Sequence, residues 1–186
     1  LIFQGDRGWR DRFRHRLMFP IAGRDGRIVA FSGRILPTIE GIAEGIVPAE
    51  TGKYINSPET PIYRKGDNLY GISVARGAMR SRAEATLAEG TFDAVSLHAA
   101  GFRETVGALG TSFTESQAKL LRRYAEVVRF VFDGDEAGRR AVRAATQACE
   151  KARLTVMVSA LPREEDPDSF VRSKGPEAFR GVLDRA

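Results

Sequence analysis

Leu87-Ala88-Glu89-Gly90-Thr91-Phe92-Asp93 sets a carboxylate and a glycine directly after an apolar run, with a second carboxylate one helical turn on. Val127-Val128-Arg129-Phe130-Val131-Phe132-Asp133-Gly134-Asp135 repeats the device with a longer run. Short runs of this kind fit strands buried on both faces of a sheet. Working outward from these two, residues 84–89, 104–109, 127–132 and 154–161 read as strands, and residues 92–100, 114–124 and 136–153 as helices. Thr114 followed by Gln117 is a capping box that starts the middle helix. Strand and helix alternating at this spacing predict βαβ units and an α/β fold, with a parallel sheet covered by helices on both faces. In such sheets functional groups collect beyond the carboxyl ends of the strands.

Three strand ends carry acids there: Glu89 with Asp93, Asp133 with Asp135, and Asp166 with Asp168 after the last strand. Brought to one sheet edge, they concentrate negative charge that resists folding unless cations neutralise it. Hard divalent ions suit all-carboxylate donors, because Mg²⁺ keeps several waters and leaves positions for phosphates. Two such ions can stabilise the attacking and leaving oxygens of an in-line phosphoryl displacement. Each piece also has a plainer reading. Asp135 can serve as the N-cap of the following helix, Asp166-Pro167-Asp168 is common turn chemistry, and Glu89-Gly90 alone says little. Their joint placement after successive strands favours the functional reading.

The first half has a different character. Two apolar stretches around Gly23-Arg24-Asp25-Gly26 predict an antiparallel hairpin. Residues 37–52 read as a surface loop, 54–71 as turn-rich chain, and 72–82 as a helix. The formal charge of +5 lies wholly in residues 1–80, where 13 Lys and Arg face 8 Asp and Glu, whereas the remainder is balanced. Segregated basic charge points to a polyanion partner on one side; its plainer reading is a solvated Arg-rich surface. Arg12, Arg14 and Arg16 alternate, so in an extended strand they form one row of guanidiniums able to fork onto phosphates, or merely a charged edge. Lys53 and Lys65 accompany Tyr54 and Tyr63, a mixture of charge and stacking surface suited to single strands or nucleotides. His15 and His98 lack ligand-spaced partners and read as packing or surface residues. Cys149, on an amphipathic helix, is expected to be buried and inert, and Trp9 to pack on the domain.

The bulk numbers set the bounds. With 186 residues and 42% hydrophobic content, one or two units can form a core without crosslinks. One cysteine precludes an intrachain disulfide and a Cys-rich zinc site, which favours a cytoplasmic setting. No apolar run reaches the ~18 residues of a membrane span, and residues 1–5 are too short and polar-flanked for a signal peptide. The start at Leu1 without Met reads as a fragment whose first residues are native. No internal repeat or low-complexity tract is present.

The stretch 87–93, then Ala108-Leu109-Gly110-Thr111-Ser112, then Phe132-Asp133-Gly134-Asp135-Glu136-Ala137-Gly138, resembles the TOPRIM fold shared by primases, topoisomerases and some nucleases. The basic half narrows the resemblance. Asp11-Arg12-Phe13-Arg14-His15-Arg16-Leu17-Met18-Phe19-Pro20-Ile21, Ala30-Phe31-Ser32-Gly33-Arg34, Lys53-Tyr54-Ile55-Asn56-Ser57-Pro58-Glu59-Thr60 and Lys65-Gly66 resemble the motifs that precede TOPRIM in DnaG-type primases. Glu165-Asp166-Pro167-Asp168 is similar to the family's later acidic motif. The resemblance implies a catalytic core that joins ribonucleotides into an RNA primer on single-stranded DNA. It implies Mg²⁺ or Mn²⁺, two or more ions, held by Glu89, Asp93, Asp133, Asp135, Asp166 and Asp168, with Glu89, Asp133 and Asp135 catalytic. Arg12, Arg14, Arg34, Lys53, Tyr54, Asn56 and Lys65 would contact template or nucleotide.

Expected partners are the template, ribonucleoside triphosphates and primer. The replicative helicase and single-strand-binding protein would join through or near the full-length protein, with guanosine polyphosphates as regulators, at the nucleoid. The implied division is a basic mixed subdomain, residues 1–80, a TOPRIM domain, residues 81–165, and a helical end, residues 166–186. The family's upstream zinc-binding and downstream helicase-binding domains have no counterpart here, as expected of an isolated core. Two departures stand out: residues 37–52 are longer than the family pattern, and Thr91-Phe92 replaces the more usual Tyr-Met. The rivals are a TOPRIM topoisomerase or nuclease, for which none of Tyr54, Tyr63, Tyr70 or Tyr124 lies in a recognisable cleavage domain, and a non-catalytic nucleic-acid or nucleotide-binding module.

Overall fold

The long apolar run forms the strand Val127–Phe132 at the centre of the fold, and its alternation sorts the helices into two layers. Val128 and Phe130 project to one side and join a buried cluster with Ile72, Met79, Leu121 and Cys149, whereas Val131 joins Phe102, Phe170, Phe179 and Leu183 on the other. The computed structural model describes residues 2–5, 8–36, 52–110, 112–132, 136–162 and 165–185.

In chain order, β1 (Ile2–Gly5) and β2 (Gly8–Asp11) pair as a small antiparallel ribbon. The hairpin strands β3 (Arg16–Ala22) and β4 (Ile28–Ile35) follow, and β5 (Tyr54–Asn56) adds antiparallel to β4. A 3-10 turn, Lys65–Asp67, leads into α1 (Ile72–Arg82). Then β6 (Glu84–Ala88), α2 (Thr91–Ala99), β7 (Thr105–Gly107), α3 (Glu115–Leu121), β8 (Val127–Phe132), α4 (Glu136–Lys151), β9 (Thr155–Ala160) and α5 (Pro167–Leu183) complete the chain. The sheet order β7-β6-β8-β9 is parallel throughout. Helices α1, α3 and α4 cover one face and α2 and α5 the other, so the expected α/β architecture is the observed one.

Local chemistry sets the element ends. Thr114 Oγ1 accepts from the Gln117 N–H and Gln117 Oε1 accepts from the Thr114 N–H, the capping box read in the sequence. Asp166 caps α5 by accepting from the Ser169 N–H at 2.6 Å, and Pro167 occupies the first turn, where its missing donor costs nothing. Gly107, at the end of β7, permits a close approach: a Cβ there would sit 2.7 Å from the Gly90 carbonyl oxygen. The turn after Glu89 therefore packs against the neighbouring strand end.

Two readings of the basic half need correction. Arg12, Arg14 and Arg16 do not share an extended strand: residues 12–15 form bends and turns, His15 adopts φ 50°, and β3 begins only at Arg16. Arg12 and Arg14 are exposed, whereas Arg16 is buried among backbone carbonyls. Trp9 does not pack on the domain; it lies on β2 and is 68% exposed. The proposed loop at 37–52 falls outside the described residues except for Gly52.

Candidate active site

The basic three-stranded sheet is fastened to one edge of the parallel sheet. The backbones of Tyr70 and Gly107 exchange hydrogen bonds of 2.9 and 3.0 Å, and Phe19 meets Tyr70 and Phe92 edge-on. Asn56 Nδ2 donates to the Leu109 carbonyl at 3.0 Å, which ties β5 to the chain just after β7. Between these parts lies a cleft of ≈330 Å³. One wall carries Glu89, Asp93, Asp166 and Asp168; the other carries Arg34, Lys53, Tyr54 and Asn56.

Each acid is placed by its element. Glu89 follows β6, and Asp93 sits in the first turn of α2, where it accepts from the Gly90 N–H at 3.0 Å. Asp166 and Asp168 stand at the start of α5. Asp168 Oδ1 accepts from the Ser96 hydroxyl on α2 and pairs with Arg172 Nε at 3.3 Å. Asp133 and Asp135 lie outside the described residues, as does Thr111. Among the described residues no group of three acids, histidines or cysteines is gathered tightly enough to hold an ion by itself. The donor set is nevertheless all carboxylate oxygen, and it opens onto bases that can hold phosphate. That chemistry fits a hard divalent ion that takes one or two carboxylates and completes its shell with water and substrate oxygen.

On the opposite wall, Arg34 lies against two aromatic rings. Its guanidinium lies 4.5 Å from the Phe92 ring centre and 5.7 Å from that of Tyr54, and donates to the Tyr54 hydroxyl oxygen at 3.3 Å. A planar cation stacked in this way is pre-set for bidentate contact with phosphate. Burial pushes the Tyr54 hydroxyl above its ordinary range, the Arg34 charge and hydrogen bond pull against this, and Asp93 and Asp168 add a smaller push. Tyr54 is therefore a neutral phenol in this cleft.

Arg12, Arg14 and Lys65 do not line the cleft. Arg12 lies beside it, donating to the Asn56 carbonyl at 3.4 Å, and Lys65 belongs to the 3-10 turn, whose carbonyl accepts from Gln117. Sequence reasoning placed Arg16 in an exposed row for phosphates and missed its buried role. Its guanidinium donates to the carbonyls of Gly33 and Gly52, each at 2.9 Å, and of Lys53 at 3.4 Å, clipping the segment that carries Lys53 and Tyr54. Gly33 makes the clip possible, since a Cβ there would meet Phe13 at 2.7 Å and Arg16 itself at 3.0 Å. Ser96 and Phe92 were also missed as supports; only the departure at Thr91-Phe92 signalled the latter.

Residues 1–76 match the family model described as the DNA primase catalytic core, N-terminal domain, and residues 86–171 match a Toprim-like model. The DNA primases of Listeria monocytogenes and Pseudomonas aeruginosa are 43% and 41% identical over 92% and 98% of the chain. The chain belongs to the DnaG-type primase family. Solved primases extend the likeness to the three-dimensional fold of this chain. The Aquifex aeolicus primase with zinc-binding and RNA polymerase domains gives a TM-score of 0.88 at 34% identity, covering 99% of this chain and 43% of that one. A DnaG primase catalytic domain bound to single-stranded DNA gives 0.85 at 36%, covering 100% and 57%. The chain spans about a quarter, 26%, of the length of the curated primases it matches.

Proposed function

We propose that this chain is the part of a DNA primase that joins ribonucleotides into short RNA primers on a single-stranded DNA template. One observation carries the reading: four carboxylates, Glu89, Asp93, Asp166 and Asp168, share a single cleft with Arg34, Lys53, Tyr54 and Asn56. The nucleic-acid-bound relatives among the solved structures support it.

In this reading Glu89, Asp93, Asp166 and Asp168, with Asp133 and Asp135, hold two or more divalent ions, Mg²⁺ or Mn²⁺. Such ions, when bound, polarise phosphate oxygens and neutralise charge that develops in phosphoryl transfer. The chain's own work is orientation. Arg34 and Lys53 grip phosphates, Tyr54 offers its ring and Asn56 its amide to a nucleotide, and Arg12, Arg14 and Lys65 extend the basic track for template. Fixing both reactants in one cleft converts a bimolecular step into an effectively unimolecular one. Glu89, on the turn after β6, is the acid we assign to the reacting centre; Asp133 and Asp135 share that assignment on the sequence motif alone.

Residues 1–80, 81–165 and 166–186 serve as basic subdomain, TOPRIM domain and helical end. Replicative helicase, single-strand-binding protein and guanosine polyphosphates are partners of the longer protein at the nucleoid. Among the described residues, no helix is long and apolar enough to cross a membrane.

The test incubates the chain with single-stranded template, labelled ribonucleoside triphosphates and Mg²⁺ or Mn²⁺. Labelled oligoribonucleotides support the reading. Cleaved template would replace it with a nuclease or topoisomerase, and bound but unchanged nucleic acid with a binding module.

A further inference from the structure

We propose that Ser96 is a positioning residue that sets the Asp168 carboxylate for divalent-cation capture; the inference rests on the reading of the cleft as a cation site. Ser96 lies on α2 three residues beyond Asp93, a spacing that puts both side chains on one face of the helix. A serine inside a helix commonly turns back to bond the carbonyl one turn earlier. Here its hydroxyl instead donates across to Asp168 Oδ1 on α5 at 2.5 Å, a short, charge-assisted bond between residues 72 positions apart.

Asp168 has a second partner, but a weaker anchor. Arg172 Nε reaches the same oxygen at 3.3 Å from a side chain that is 71% exposed, and long exposed cations hold geometry poorly. Asp168 itself is only 13% exposed. Its orientation therefore falls to the serine, whose single short torsion costs little to fix. Both partners engage Oδ1, which fixes the plane of the carboxylate and so the direction of its other oxygen. Hydrogen bonds that orient a ligating carboxylate typically contribute 10–100-fold to metal affinity.

The helices themselves do not depend on this bond. Leu97, Phe102, Phe170, Val171 and Phe179 bury one another where α2 and α5 meet. Removing the hydroxyl should leave that packing intact, which makes the substitution informative.

The experiment measures Mn²⁺ binding to the whole chain by the electron paramagnetic resonance signal of free Mn²⁺, with Mg²⁺ competition. Ser96→Ala should weaken binding about tenfold, melt with the parent in the presence of EDTA, and be rescued by Ser96→Thr. Asp168→Asn should also weaken binding, and adding Ser96→Ala to it should cost nothing more. If Ser96→Ala binds Mn²⁺ like the parent while Asp168→Asn does not, the positioning role is overturned and the cation site stands. Additive losses in the double variant overturn it equally. If Asp168→Asn itself binds like the parent, Asp168 leaves the cation site and the inference goes with it.

Discussion

Replacing Arg16 with Met tests whether the basic half is organised by a buried clip rather than by an exposed row of charge. The guanidinium donates at 2.9 Å to two carbonyls, Gly33 and Gly52, and reaches Lys53 at 3.4 Å. Hydrogen bonds from a charged donor contribute roughly 1.5–3 kcal/mol each, so losing the two short ones removes about 3–6 kcal/mol. Against this, methionine spares the cost of burying a charge and still fills the slot beside Phe13 and Gly33, which brings the net loss to about 2–4 kcal/mol. Arg16→Lys keeps the charge but cannot fork to carbonyls on two segments, so it should recover less than half. Urea denaturation of each variant, with the slope checked against the parent, gives the values directly. Arg12→Ala and Arg14→Ala, both exposed, should stay within about 0.5 kcal/mol. An Arg16→Met protein as stable as Arg14→Ala would refute the clip.

Other expectations follow from the same geometry. Arg34→Ala or Lys53→Ala should weaken single-stranded DNA binding and make its salt dependence shallower, as fewer counterions are released; unchanged affinity across several salt concentrations returns both to a solvated surface role. Burial pushes the Cys149 thiol up to about 12 from an ordinary 9.0, so the folded chain keeps a proton that the unfolded chain gives up. Its contribution to stability is thus full below about pH 9 and lost as pH rises towards 12, and Cys149→Ala should flatten that decline in melting temperature.

Much of this was legible because buried strands leave a strong trace. Residues 127–132 cannot be a solvated helix, and Glu89, after the neighbouring run, could be placed at a sheet edge without knowing any contact. The hairpin and the capping box were equally local, each decided within a few residues. What escaped was non-local. A sequence shows that Arg16 is charged, not that residues 52 and 53 fold over it, and the alternation with Arg12 and Arg14 fits a strand until the left-handed backbone of His15 breaks it. Ser96 looks like any helix serine, its partner lying 72 positions away. Trp9 was expected to seek cover, yet its ribbon leaves it exposed among the described residues. Lys65 shares a motif with the cleft residues but is held by the capping glutamine of α3.

The central claim is that one cleft separates chemistry from grip, with the acids on one wall and the bases on the other. Glu89→Gln puts it to the test, since the substitution keeps size and hydrogen-bonding capacity while removing a charge. DNA affinity and primer yield should be measured on the same purified variant at saturating template. The account predicts affinity equal to or above that of the parent, because one source of repulsion toward phosphate is gone, and primer synthesis lower by ~100-fold or more. Synthesis retained at the parent's rate, or affinity and synthesis lost together, would contradict it.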